Sequence, residues 1–269
     1  MAPLGFGLPA TDKSSARRAI DKRVPFGESG GRSLYEGSVL TALRERPPRR
    51  ICVIGNSSIG AVRMALGDRG APGVYDFAFF ASGGPKFDSI GLDDDRLTGF
   101  EVDSGGDRDL RGYDAFVLQG RLPTSYEALV FERHLLPLRF SQSVRALALR
   151  DWCDSHKGWA MALTLHQRYG KPVLTISRNV FASERVGAKA EREAADAAFA
   201  ELLAPLRFVP LPEALFEDDG QVRRRFYSGY VNVHGRQGPA ASHDEWHYNR
   251  EAGGLILGSL IAELDAAFA

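Results

Sequence analysis

The sequence predicts an α/β protein in three layers, α/β/α, around a mostly parallel central sheet. Two observations carry this. From residue 50 onward, short apolar runs alternate with segments of helical length and pattern. The apolar runs are continuous rather than alternating, as strands buried on both faces are. In such sheets ligands bind outside the carboxyl ends of the strands, so the turns 55–58, 82–84 and 119–121 draw attention.

The elements follow in order. RICVIG (50–55) reads as a buried strand, and SIGAVRMALGD (58–68) as a helix ending near Gly67. VYDFAFFA (74–81) is a second strand, LTGFEVD (97–103) a third, and YDAFVLQG (113–120) a fourth, closed by Gly120. A long helical region runs from about Ser125 to Tyr169, broken near Pro137 and stopped by Gly170 and Pro172. PVLTIS (172–177) is another strand. The Ala-rich stretch 184–206 is a helix, and RFVPLP (207–212) a short extended piece. In the last helix Leu257, Leu260, Ile261, Leu264 and Phe268 share one face, and Asn249 is placed to cap its start. Residues 1–48 lack sustained periodicity and read as a partly ordered N-terminal extension, with a helix over SLYEGSVLTALRER. Residues 49–269 read as a single domain.

Composition bounds the function. The 269 residues are 44% hydrophobic and 25% charged, ordinary for a globular protein. Lys+Arg and Asp+Glu both number 34, so no global field favours a nucleic-acid partner. The two cysteines, Cys52 and Cys153, imply neither a disulfide framework nor a zinc site, and Cys52 reads as a small buried hydrophobe. No signal-peptide core and no apolar run long enough for a membrane span are visible, so a cytoplasmic protein is expected.

Three places can carry chemistry. Ser57 sits where a strand passes into a helix, beside unpaired backbone N–H groups that favour negative charge. A serine nucleophile needs such donors for the oxyanion it creates. The bland alternative is that Asn56, Ser57 or Ser58 only caps the helix. The turn is neither a G-x-S-x-G elbow nor a Walker A loop. Asp244 and His247, three apart before the last helix, form a carboxylate–imidazole pair able to serve a serine. His243 keeps that assignment open, and His243, Asp244 and His247 could instead ligate a metal, although no further ligand cluster accompanies them. Ser82-Gly83-Gly84 after the second strand lets backbone N–H groups approach a ligand, or is an ordinary turn. Trp152, His156 and Trp159 have helical spacing, which fits core packing or a sugar platform. Arg223–Arg225 reads as a solvated face or, more sharply, as a contact to an anionic saccharide.

Together these segments resemble the SGNH (GDSL-like) hydrolase family over residues 50–269. Gly55-Asn56-Ser57 is similar to the family's nucleophile turn, Gly83 (with Gly84 second) to its oxyanion glycine, and Asp244-Glu245-Trp246-His247 to its Asp-x-x-His. The family's Gly-x-Asn after a middle strand has no counterpart in VLQGRLPTS, where Gln119 or the backbone of Gly120 would have to substitute. The resemblance implies a flavodoxin-like SGNH hydrolase fold and an acyl-enzyme on Ser57, with His247 as general base and Asp244 orienting it. It implies a serine esterase or O-acyltransferase acting on O-acyl (acetyl) groups of a small-molecule or saccharide ester, without metal or cofactor. Two other readings remain: a non-catalytic ligand- or saccharide-binding module on the same scaffold, and a nucleotide or phosphate binder using the turn at Gly55–Ser58 as an anion nest.

Overall fold

Ile51, Cys52, Val53 and Ile54 are all essentially inaccessible, so the first apolar run is buried on both faces. It forms β1 (Arg49–Gly55), at the heart of a six-stranded sheet. The computed structural model describes residues 47–69, 73–234, 236–239 and 244–269. The N-terminal extension, with its expected helix, lies outside the described residues but for its last two positions, and so does His243.

β1 pairs in parallel with β2 (Tyr75–Ala81) on one side and β6 (Ala115–Gln119) on the other. β7 (Val173–Ile176) and β8 (Arg207–Val209) continue the sheet in parallel, so RFVPLP supplies a true strand. β5 (Val102–Asp103) closes the far edge antiparallel to β2. The segment 97–103 is therefore not one strand. Its first part belongs to a separate hairpin, β3 (Gly91–Asp93) with β4 (Arg96–Thr98), and the turn at Gly99, held at φ 72°, divides it from β5. The order β5-β2-β1-β6-β7-β8 contains the doubly wound sequence 2-1-3-4-5, with its switch point between β1 and β6.

Six α-helices among the described residues cover the two faces. On one face α1 (Ile59–Arg69) and α6 (Arg250–Phe268) pack Val62, Ala65, Ile256, Leu257, Leu260 and Leu264 against Ile51, Val53 and Val117. Each large apolar side chain so buried contributes about 1.5–3 kcal/mol. Asn249 caps α6 by accepting from Ala252 N–H at 3.1 Å. On the other face α4 (Lys157–Tyr169) and α5 (Lys189–Leu203) pack Trp159, Ala162, Leu165, Phe199 and Leu203 against Cys52, Ile54, Phe116 and Leu118. Both free cysteines are buried, and burial raises both thiol pKa values, that of Cys153 to about 11.

The long helical region is broken twice. α2 (Ser125–Leu135) ends in a 3₁₀ turn containing Pro137, and α3 (Gln142–Asp154) ends at Ser155. His156 has extended backbone and sits at the N-cap of α4, so it shares no helix with Trp152. Their rings nevertheless meet edge to face at 4.8 Å. The Ala-rich helix begins at Lys189, later than its composition suggests, because Gly187 adopts φ 82° and Arg185 bridges to Gln221. No helix among the described residues is long and apolar enough to cross a membrane.

Candidate functional site

The switch point places the ends of β1 and β6 side by side, and Ser57 lies in the turn that leaves β1. That turn is organised by Asn56. Its N–H donates to Gln119 O at 3.2 Å, and its Oδ1 accepts from Ser58 N–H at 3.0 Å. Among the described residues, Ser57 N–H is left without an acceptor, at the start of a helix whose dipole favours negative charge.

Ser57 lines a cavity of about 380 Å³ with Asn56, Gly84, Arg121, Asn179 and Trp246. The glycine turn after β2 divides its labour. Gly83 N–H donates to Glu101 Oε2 at 3.0 Å, and Lys86 Nζ holds the other carboxylate oxygen at 2.5 Å. These hydrogen bonds, Lys86 first and Gly83 second, hold the Glu101 carboxyl below its ordinary pKa. Gly84, with φ 49°, reaches the cavity, and its N–H has no acceptor among the described residues.

Asp244 and His247 come together. Asp244 Oδ2 lies 2.9 Å from His247 Nδ1, while Oδ1 accepts the backbone N–H groups of Trp246 at 2.7 Å and His247 at 3.1 Å. The carboxylate therefore fixes both the loop and the ring, and an Nδ1–H donated to it leaves Nε2 as the basic nitrogen. The hydrogen bonds among the described residues do not include one between Ser57 and His247, and it is Trp246 rather than His247 that lines the cavity.

One segment links the two halves. Tyr230 bridges Asn249 and its ring lies 5.9 Å from that of His247, and Val231 N–H donates to Tyr248 O. Further along, Asn232 O meets the first turn of α1 so closely that a β-carbon on Gly60 would sit 2.1 Å from it. The dyad and Ser57 thus flank one strap.

Gln119 and Gly120 behave differently from the expectation set for them. Gln119 is buried with both amide atoms unpartnered, and it is not in the cavity wall among the described residues. Gly120 packs against Asn56 and shapes the turn.

Sequence reasoning named the turn that holds Arg121 but not its side chain, and it missed Glu127, Arg178 and Asn179. Asn179 follows β7 at the ligand-binding end of the sheet and donates through Nδ2 to Trp246 O at 3.2 Å, mooring the dyad loop. Arg178, beside it, makes a two-pronged ion pair with Glu184 and bonds Glu127 at 2.8 Å. Burial alone would raise the Glu127 pKa. The hydrogen bonds from Arg178 and from Thr124 outweigh it and lower the value. Arg121 reaches over the cavity. All follow strand ends or open a helix, which is the signal available for them. Arg223 and Arg225 pair with Glu217 and Glu251, as residues of a charged surface do.

A second cavity, about 420 Å³, shares Glu127 and Arg178 with the first and is walled by Tyr126, Phe131, His134 and Trp152. Phe131 and Trp152 stack with centroids 5.0 Å apart.

No protein-family model matches the chain, and no curated protein matches it. Among solved structures the chain is similar to the lipase Lip_vut3 from a goat rumen metagenome. The two are 12% identical, over 80% of this chain and 96% of that one, with a TM-score of 0.38.

Proposed function

We propose that the protein is a serine esterase or O-acyltransferase of SGNH type. Ser57 attacks an acyl carbonyl, and His247 accepts the hydroxyl proton and later returns it to the leaving alcohol. Asp244 holds the ring and stabilises its protonated form. The N–H groups of Ser57 and Gly84 receive the oxyanion, with Gly83 as the further donor if Glu101 yields it. Water or an alcohol then resolves the acyl-enzyme, so hydrolysis and transfer share every earlier step.

The observation that carries this is the 2.9 Å pairing of His247 Nδ1 with Asp244, on a loop moored to the cavity that contains Ser57. Nucleophile–base hydrogen bonds are often long in unliganded sites and tighten with substrate. The aromatic Phe131–Trp152 wall in the adjoining cavity supports a carbohydrate-type substrate bearing an O-acyl group. Hydrolysis of p-nitrophenyl acetate tests the chemistry. Turnover that Ser57→Ala abolishes supports it, and equal turnover by both proteins rejects it.

One observation favours a binding module instead: Gly83 N–H already holds a carboxylate of the protein itself. Saturable binding of an acetylated saccharide without its deacetylation, by a protein inert to activated esters, would select that reading.

A further inference from the structure

Arg121 roofs the cavity in a conformation the surrounding chain imposes. It directly follows Gly120, and the two have φ 54° and 87° respectively. A left-handed backbone at a non-glycine residue is strained and persists only where neighbours determine it. Here they do. Gly158 N–H donates to Arg121 O at 3.2 Å, and a β-carbon on Gly158 would lie 2.8 Å from that oxygen. Asn56 occupies the space a β-carbon on Gly120 would need.

The consequence is a reach across the sheet. Arg121 leaves the end of β6, yet its Nη2 contacts Gly84 O at 3.3 Å and Asp88 Oδ2 at 3.4 Å, both beyond the end of β2. Since β1 lies between β2 and β6, the side chain crosses above the turn that carries Ser57. Both contacts are long and both use the same nitrogen. Among the described residues Nε and Nη1 have no acceptor. The other arginine of the wall is committed, since Arg178 is bonded to Glu127, Glu184 and Asn179 O. The acids near the roof are Asp88, with its side chain about half exposed at 55%, and Glu127, which shares Arg178 with Glu184.

We propose that Arg121 binds a carboxylate carried by the substrate, so that the preferred ester is an acidic one, with its second acid group a few bonds from the scissile carbonyl. The planar guanidinium fork matches a carboxylate in a two-point bond that lysine does not reproduce. This rests on the esterase reading only in taking the ligand to be an ester.

The test compares p-nitrophenyl hydrogen glutarate with its neutral methyl ester, in the wild type, Arg121→Lys and Arg121→Asn. Asparagine tolerates the left-handed backbone, so the last variant keeps the fold. The wild type is expected to favour the acidic ester in kcat/KM by about tenfold or more, the scale of a hydrogen bond to a charged group. The preference should fall to near one in Arg121→Asn, mainly through KM, and recover only partly in Arg121→Lys. A second arm needs no turnover: Ser57→Ala should bind methyl hydrogen glutarate but not dimethyl glutarate, and adding Arg121→Asn should remove that difference. An inert wild type whose Ser57→Ala form still binds the acid selectively upholds the carboxylate site while ending the esterase reading. Equal treatment of the acidic and neutral ligands by the wild type and by Ser57→Ala, or a preference that survives Arg121→Asn, overturns the proposal.

Discussion

Gly120 and Asn56 lie so close that a β-carbon on Gly120 would sit 2.2 Å from Asn56 Oδ1. The same Oδ1 accepts Ser58 N–H and so shapes the turn that presents Ser57. Two strands meet there through one side chain, and glycine at φ 87° is what allows it. Gly120→Ala should therefore destabilise the fold by about 1–3 kcal/mol from backbone strain alone. It should also push Asn56 away and disorder the turn. Urea unfolding measures the first effect, and loss of the proposed esterase activity in the remaining folded protein the second.

Gly60→Ala tests the strap. In an exposed helix this substitution stabilises by about 1 kcal/mol. At Gly60 the new methyl would meet Asn232 O at 2.1 Å, so α1 and the strap must separate. A loss of about 1–3 kcal/mol is expected, as for other overpacked sites. Because the strap also pairs with Tyr248, the loop holding His247 should shift, and a 1 Å misplacement costs on the order of a hundredfold in rate. A stabilised, fully active variant would contradict this placement.

Asp244→Asn removes a charge while leaving a side chain of the same shape. The asparagine can still accept the backbone N–H groups of Trp246 and His247, but it can present its NH₂ to Nδ1 and reverse the ring's tautomer. The expected fall in kcat is on the order of 10³–10⁴-fold with little change in stability. A decrease in thermal stability without a comparable loss of rate would assign Asp244 a structural role only.

Glu127 predicts a pH dependence. Its carboxyl caps α2, donating nothing and accepting Thr124 N–H at 2.7 Å and Arg178 Nη2 at 2.8 Å. The folded-state pKa lies below the ordinary 4.5, since these bonds outweigh the effect of burial. A depressed folded value contributes stability that is complete above the unfolded value and lost as pH falls through the folded one. Glu127→Gln should thus be less stable than the wild type by about 1 kcal/mol at neutral pH, the scale of a hydrogen bond that loses its charge. The gap should close as the solution is acidified below about pH 4. A gap independent of pH would show that the charge of Glu127 is not what matters.

Much of the architecture was legible because burial writes itself into sequence. The continuous apolar runs of β1, β2, β6 and β7 have no other use than a covered sheet. The face of α6 and its Asn249 cap were equally plain. LTGFEVD misled because apolar residues on both sides of a turn mimic one strand, and Gly99 gave the only sign of the break. His156 misled because helical spacing says nothing of where a helix stops without Gly or Pro.

The candidate site was legible in part. Asn56-Ser57 and Asp244…His247 stand out as residue types placed at strand and helix ends. Arg121, Arg178 and Asn179 did not, because their roles depend on strand order, and order is a long-range property. Nor does composition show that Gly83 N–H faces Glu101, since β5 pairs with β2 through a chain reversal.

The central claim is that Ser57 is a nucleophile activated by His247. Its most direct measurement is labelling of the folded protein with a fluorophosphonate, followed by peptide mapping. A single adduct on Ser57 is expected, formed at least a hundredfold more slowly in His247→Ala, on the order expected when a positioned base is removed. No adduct in well-folded protein, or an adduct on Ser57 that forms equally fast without His247, would contradict it.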